Sequence, residues 1–169
     1  MAESIQHKCK QVALSELTPL MSEILQNNGE VIFSITGNSM RPMLHHLRDK
    51  VCLISLKKPL KKYDLPLYVR GDGKYILHRI TAVKREGYSM IGDNQYVKEY
   101  PVQPSQVLGV VKGFWREDKY ISCDAFGYKL YCRLWTYGYP VRWVLFKSKQ
   151  FIRRLTYHIS HKGEKEDEG

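Results

Sequence analysis

The sequence predicts a mainly β domain of the α+β class, antiparallel in its pairing, with a helical segment at the N-terminal end and a basic amphipathic helix towards the C-terminal end. Three observations predict it. Between Glu30 and roughly Arg116 the apolar residues recur with a period of two and are punctuated by turn residues, as in a β meander. Before Glu30 the apolar residues fall instead at helical spacing. Between Ala125 and Gly163 the composition changes abruptly: there is no Asp or Glu, while eight Lys or Arg and ten aromatic residues crowd together.

In chain order, Leu14, Leu17, Met21, Ile24 and Leu25 define an apolar helical stripe. Thr18-Pro19 interrupts it. Thr at a cap followed by Pro at a first helical position starts a helix, so either two short helices or one kinked helix is expected, closed by Asn27-Asn28-Gly29. Val31, Phe33 and Ile35 then alternate with Ile32 and Ser34, and Lys50 to Leu56 forms a second strand. "LPLYVRGDGKYILHRITAV" is the clearest hairpin, because Gly71-Asp72-Gly73 supplies tight-turn residues between two strand-like runs. Its returning strand is predicted as one piece, Lys74 to Val83. "YSMIGD" follows a turn near Gly87, and Gln106 to Trp115 gives a late strand. From Pro140 onward, Val141, Val144, Leu145, Ile152, Leu155 and Ile159 fall on one helical stripe, with Arg142, Lys149, Arg153 and Arg154 away from it. The expected organisation is a helical segment over 1–29, a β domain over 30–124, a basic aromatic extension over 125–163 and an acidic, disordered tail over 164–169.

With 27 Lys and Arg against 17 Asp and Glu, the 169-residue chain carries a formal charge of +10, which favours anionic partners. Cys9, Cys52, Cys123 and Cys132 form no CxxC pair and no zinc-type spacing, so reduced thiols in a cytoplasmic protein are expected. The first residues carry neither a secretory signal pattern nor an apolar span. His45-His46 lacks companions at ligand spacing and reads as a polar loop; no metal and no cofactor are expected.

The decapeptide "ITGNSMRPML" ends the first strand with Ser39 framed by Gly37 and Pro42. Alone it is ordinary turn chemistry. A serine hydroxyl becomes a nucleophile only with a base in reach. Alternation along the Lys74 to Val83 strand places His78 with Ile76, Ile80 and Ala82 on an apolar face, where a neutral imidazole can take a proton. Asp93, in the Gly92-Asp93-Asn94 turn, is a carboxylate suited to orienting that histidine.

"GNSMRPML", then a strand carrying "HRI", then "GDN" resembles the signal-peptidase and SOS-repressor superfamily of serine peptidases, over about Val31 to Arg116. In that superfamily a Gly-x-Ser-Met-x-Pro box carries the nucleophile. The "HR" context resembles the histidine-base branch of endoplasmic-reticulum type, in a small stand-alone form without an N-terminal membrane span. The resemblance implies a signal-peptidase-like β fold, with Ser39 as nucleophile and His78 as general base. Asp93 is the implied third member, with Glu99, which holds roughly the place of the family's second acidic residue, as the alternate. Asp49 and Asp64 stand in contexts that resemble structural turns. The implied activity is endopeptidase cleavage of an extended peptide through an acyl-enzyme. The rival reading is a non-catalytic peptide-binding protein that keeps the fold. The basic aromatic segment over 133–162 suggests peripheral association with an anionic membrane surface. No recognised nucleic-acid module is present, so nucleic acid is not an expected partner.

Overall fold

The computed structural model describes residues 14–144 and 146–148, and within them the chain is a mixed α+β protein with antiparallel sheets. It divides into two compact units after Ala125.

Among the described residues the first unit begins with α1 (Leu14–Gln26), one helix that runs through Pro19 rather than two. Its end is set by local chemistry. Asn28 takes φ of 58°, the Gly29 amide donates to the Ile24 carbonyl at 2.8 Å, and the Asn28 amide donates to Leu25 at 3.0 Å, which together satisfy the last carbonyls of the helix. A side chain at position 29 would come within 2.8 Å of the Ile24 oxygen, so only glycine closes this helix without displacement.

Nine strands follow: β1 (Glu30–Ser34), β2 (Lys50–Ile54), β3 (Pro66–Val69), β4 (Tyr75–Leu77), β5 (Arg79–Lys84), β6 (Gly87–Ile91), β7 (Glu99–Val102), β8 (Val107–Arg116) and β9 (Lys119–Ser122). They form two sheets. The larger has the order β1-β2-β8-β3-β4, with β9 also paired to β8; the smaller is β5-β6-β7. The long strand β8 organises the larger sheet, because it pairs with β2 along one edge and with β3 and then β9 along the other.

The single strand expected over Lys74 to Val83 is two strands in two sheets. β4 pairs with β3 through Leu67↔Leu77 and Tyr68↔Ile76, whereas β5 pairs with β6 through Arg79↔Ile91 and Ile80↔Met90. His78 is the residue between them. The apolar alternation therefore fails locally: His78, Arg79 and Ile80 are buried in succession, because the chain passes from one sheet to the other at this point. Two further strands carry no alternation of their own. β7 contains Pro101, which its position at the edge of the three-stranded sheet allows, and β9 is a short return against β8.

The two sheets share a core of Leu60, Tyr68, Ile80, Met90 and Val102, onto which Ile76, Tyr88, Val107 and Val110 pack. Tyr68 belongs to the larger sheet, whereas Ile80, Met90 and Val102 belong one each to the strands of the smaller. This cluster fixes the strand ends that carry the polar residues described below.

In the second unit, α2 (Phe126–Tyr137) is followed by helical turns across 139–144 and 146–148. Helix thus begins well before Pro140, the expected start. Leu145, Lys149, Arg153, Arg154, Ile152, Leu155 and Ile159, like the expected acidic tail, lie outside the described residues. No described helix is long and apolar enough to cross a membrane.

Candidate active site

The loop between β1 and β2 holds Ser39, and it is pinned from within. The Ile35 amide donates to Asp49 and the Leu47 amide to Ile35, closing the loop at its neck. Asp49, fully buried, accepts the His45 amide at 2.9 Å and the Arg48 Nε at 2.7 Å. Desolvation opposes its charge, but these two bonds and the Arg48 and Arg116 cations hold its carboxyl below the usual range. Asp49 is thereby a structural residue, as its turn context suggests. Asp64, the other acidic turn residue, accepts the Lys61 amide at 2.8 Å. His46 accepts the Gly37 amide through Nδ1 at 2.9 Å, so the His45-His46 pair belongs to the loop's internal bonding. No His, Cys, Asp and Glu cluster fit to hold a metal occurs among the described residues. Gly37 takes φ of +89°, a conformation that glycine adopts at little cost. Met40, Met43 and Leu44 are buried and anchor the far side of the loop, leaving Ser39 half-buried.

The Gly92-Asp93-Asn94 turn docks directly on this loop. The Asn94 amide donates to the Ser39 carbonyl at 2.7 Å, and its side-chain amide donates to Asn38 O at 3.2 Å. Gly92 fills the space between serine and histidine. A Cβ added there would lie 2.6 Å from Ser39 O, 3.1 Å from Ser39 Cβ and 3.0 Å from His78 Nε2. Ser39 Cβ and His78 Nε2 thus border one small volume that only glycine leaves open. Among the described residues no hydrogen bond joins Ser39 Oγ to His78 Nε2.

The opposite edge of the ring is held by different residues from those the sequence first suggests. His78 Nδ1 lies 3.2 Å from Glu99 Oε1 at the start of β7, and 3.2 Å from the Tyr68 hydroxyl on β3. Arg70, just past the end of β3, donates to both Glu99 oxygens, with Nε to Oε2 at 3.0 Å. Glu99 is thereby oriented from one side and presented to the imidazole on the other. A proton on Nδ1 is stabilised by this carboxylate, which assigns the tautomer with its lone pair on Nε2, the atom beside Gly92.

Asp93 is placed elsewhere. Its carboxylate forms a two-point ion pair with Arg79, Nε to Oδ1 at 2.9 Å and Nη2 to Oδ2 at 2.8 Å. Both side chains are buried to within a few per cent. Arg79 also donates to Tyr63 O at 3.3 Å and reaches Met43 Sδ at 2.8 Å. The pair ties the histidine-bearing segment to the Gly92 turn and to the serine loop. The geometry thus replaces Asp93 by Glu99 as the carboxylate at His78 Nδ1, because the guanidinium adjacent to His78 in sequence captures Asp93.

Electrostatics follow from burial. Desolvation lowers the His78 pKa to about 4; Arg70 adds to this, and Glu99 and Asp93 oppose it. Glu99 is itself disfavoured by desolvation, yet the Arg70 and Tyr68 hydrogen bonds and the neighbouring imidazole keep its carboxyl below the ordinary range. Burial, and then Glu99, push the Tyr68 phenol upward, so it stays a neutral donor. At neutral pH the site therefore holds a neutral imidazole, with a carboxylate behind it that can stabilise a positive charge.

Tyr68 and Arg70 belong to this candidate site, and the sequence reading missed them. A signal was available for Tyr68: the hairpin register set by the Gly71-Asp72-Gly73 turn places it opposite Ile76 and diagonal to His78. Comparison with protein-family profiles found no match, and comparison with characterised protein sequences found none either.

Proposed function

We propose that this chain is a serine peptidase with a signal-peptidase-like β fold, in which Ser39, His78 and Glu99 carry out acyl transfer. The carrying observation is that His78 presents Nε2 to the gap shared with Ser39 while Glu99 occupies Nδ1. His78 Nε2 takes the hydroxyl proton as Ser39 Oγ bonds to the peptide carbonyl carbon. The imidazolium that forms is stabilised by Glu99, which keeps its own negative charge. The proton then passes to the leaving amine as the carbon–nitrogen bond breaks, and water, activated by the same Nε2, releases the acyl group. The oxyanion lies against the backbone amides around Ser39, in a loop already fixed by Asp49 and Asn94.

The absence of a closed Ser39 to His78 hydrogen bond favours a second reading, a peptide-binding protein that keeps the arrangement without turnover. A peptide library made from a digested proteome separates the two. Peptides with new termini are expected after incubation with the wild-type chain, with activity retained at pH 5 and lost as pH falls through about 4, where His78 takes up a proton and ceases to be a base. Peptides captured intact, with no new termini at any pH between about 5 and 9 where a histidine base is neutral, would establish the binding reading instead.

A further inference from the structure

The second unit carries a surface that the proposed chemistry does not use. Phe126, Leu130, Leu134 and Tyr137 recur three or four residues apart on one face of α2, and Val141 and Val144 continue that spacing in the helical turns that follow. All six are exposed, Phe126 at 80%, Tyr137 at 70% and Leu134 at 65%. Tyr128 and Cys132, which helical geometry places on the opposite side, are buried. The helix thus has one face with buried side chains and a second, apolar face that is exposed. Continuous exposed apolar surface of this kind marks a docking site.

The charge around the stripe selects the partner. Arg133 and Lys147 are exposed and flank it, and no acidic residue occurs between Ala125 and Gly163. A second copy would bring an equally basic helix against this one and be repelled. Nucleic acid would use the cations but gives no role to exposed Leu, Val and Phe side chains. An anionic bilayer uses both: phosphate headgroups pair with the cations while the apolar face enters the acyl boundary.

We infer that the helical surface from Phe126 to Val144 docks on anionic membrane, lying in its plane rather than crossing it. This docking is independent of the Ser39 chemistry, so it stands or falls separately from it. Its test is co-sedimentation of the full chain with vesicles of phosphatidylcholine alone and with about a third phosphatidylglycerol. The chain is expected to pellet with the anionic vesicles and to be released by high salt. Arg133→Gln with Lys147→Gln should lower partitioning ~30-fold, from two lost headgroup attractions. Leu134→Asp with Val141→Asp should abolish it, with helical circular dichroism retained because both positions are exposed.

Failure of the wild-type chain to pellet would overturn the inference, as would undiminished pelleting of either double variant. Should the aspartate variant not fold, the glutamine variant decides alone. A concentration-dependent dimer dispersed by Leu134→Asp with Val141→Asp would assign the face to a second copy and overturn it too. Oligonucleotide binding that survives the aspartate pair while vesicle binding is absent would do the same in favour of nucleic acid.

Discussion

Ser39→Ala is expected to lower the turnover of any peptide the wild-type chain cleaves by about a million-fold, the loss typical when one member of a cooperating serine and histidine pair is removed. The fold should survive it. Ser39 contributes to the structure through its main chain, whose carbonyl accepts the Asn94 amide, and that bond is indifferent to the side chain. An unchanged thermal unfolding midpoint beside the collapsed rate would separate chemistry from stability. His78→Ala should cost about as much, and the double variant little more than either alone, because serine and histidine act in one step. A Ser39→Ala chain that cleaves as fast as wild type would remove Ser39 from the chemistry.

Glu99→Gln is expected to reduce turnover by about ten-thousand-fold, in line with loss of the carboxylate that orients a catalytic histidine. Two effects combine. The amide cannot stabilise the imidazolium, and its NH2 group can turn towards Nδ1 and invert the tautomer. Because Glu99 raises the His78 pKa, removing its charge should also shift the acid limb of the pH profile further down. Asp93→Asn should behave differently, since Asp93 is the partner of a buried guanidinium. Neutralising it costs about 3–5 kcal/mol of folding stability, as when one half of a buried ion pair is lost. Chemical denaturation with parallel kinetics distinguishes the two outcomes. A catalytic loss in Asp93→Asn that exceeds that in Glu99→Gln, at full folding, would return the third position to Asp93.

The contrast between these carboxylates shows what the sequence could and could not say. The strand-rich middle of the chain was legible because period-two alternation and Gly71-Asp72-Gly73 are local signals, and so was the helix stop at Asn28-Gly29; the expected meander order was not, because β8 inserts between β2 and β3 and β5-β6-β7 form a sheet of their own. The break at His78 was not. A strand that leaves one sheet and enters another keeps its alternating pattern on paper, while its environment is set by partners distant in sequence. The same non-local pairing hid Arg70 and Tyr68, which matter only because β7, itself lacking a clear pattern, brings Glu99 across to β3. Asp93 looked suitable as a carboxylate in a turn near serine and histidine. What decides between it and Glu99 is which cation each faces, and buried Arg79 reads in sequence as an ordinary polar position on a half-exposed strand. The start of the helix at Phe126 was obscured by its dense aromatic composition, and most of the stripe expected past Pro140 lies outside the described residues.

The most direct measurement of the central claim, that His78 activates Ser39, is the rate of covalent labelling by a fluorophosphonate across pH, with the modified residue located by mass spectrometry. The expected result is one adduct, on Ser39, forming at a rate that holds steady at neutral pH, falls as pH drops through about 4 and is lost in His78→Ala. No adduct on the wild-type chain, an adduct on another residue, or labelling of Ser39 that proceeds unchanged in His78→Ala would contradict it.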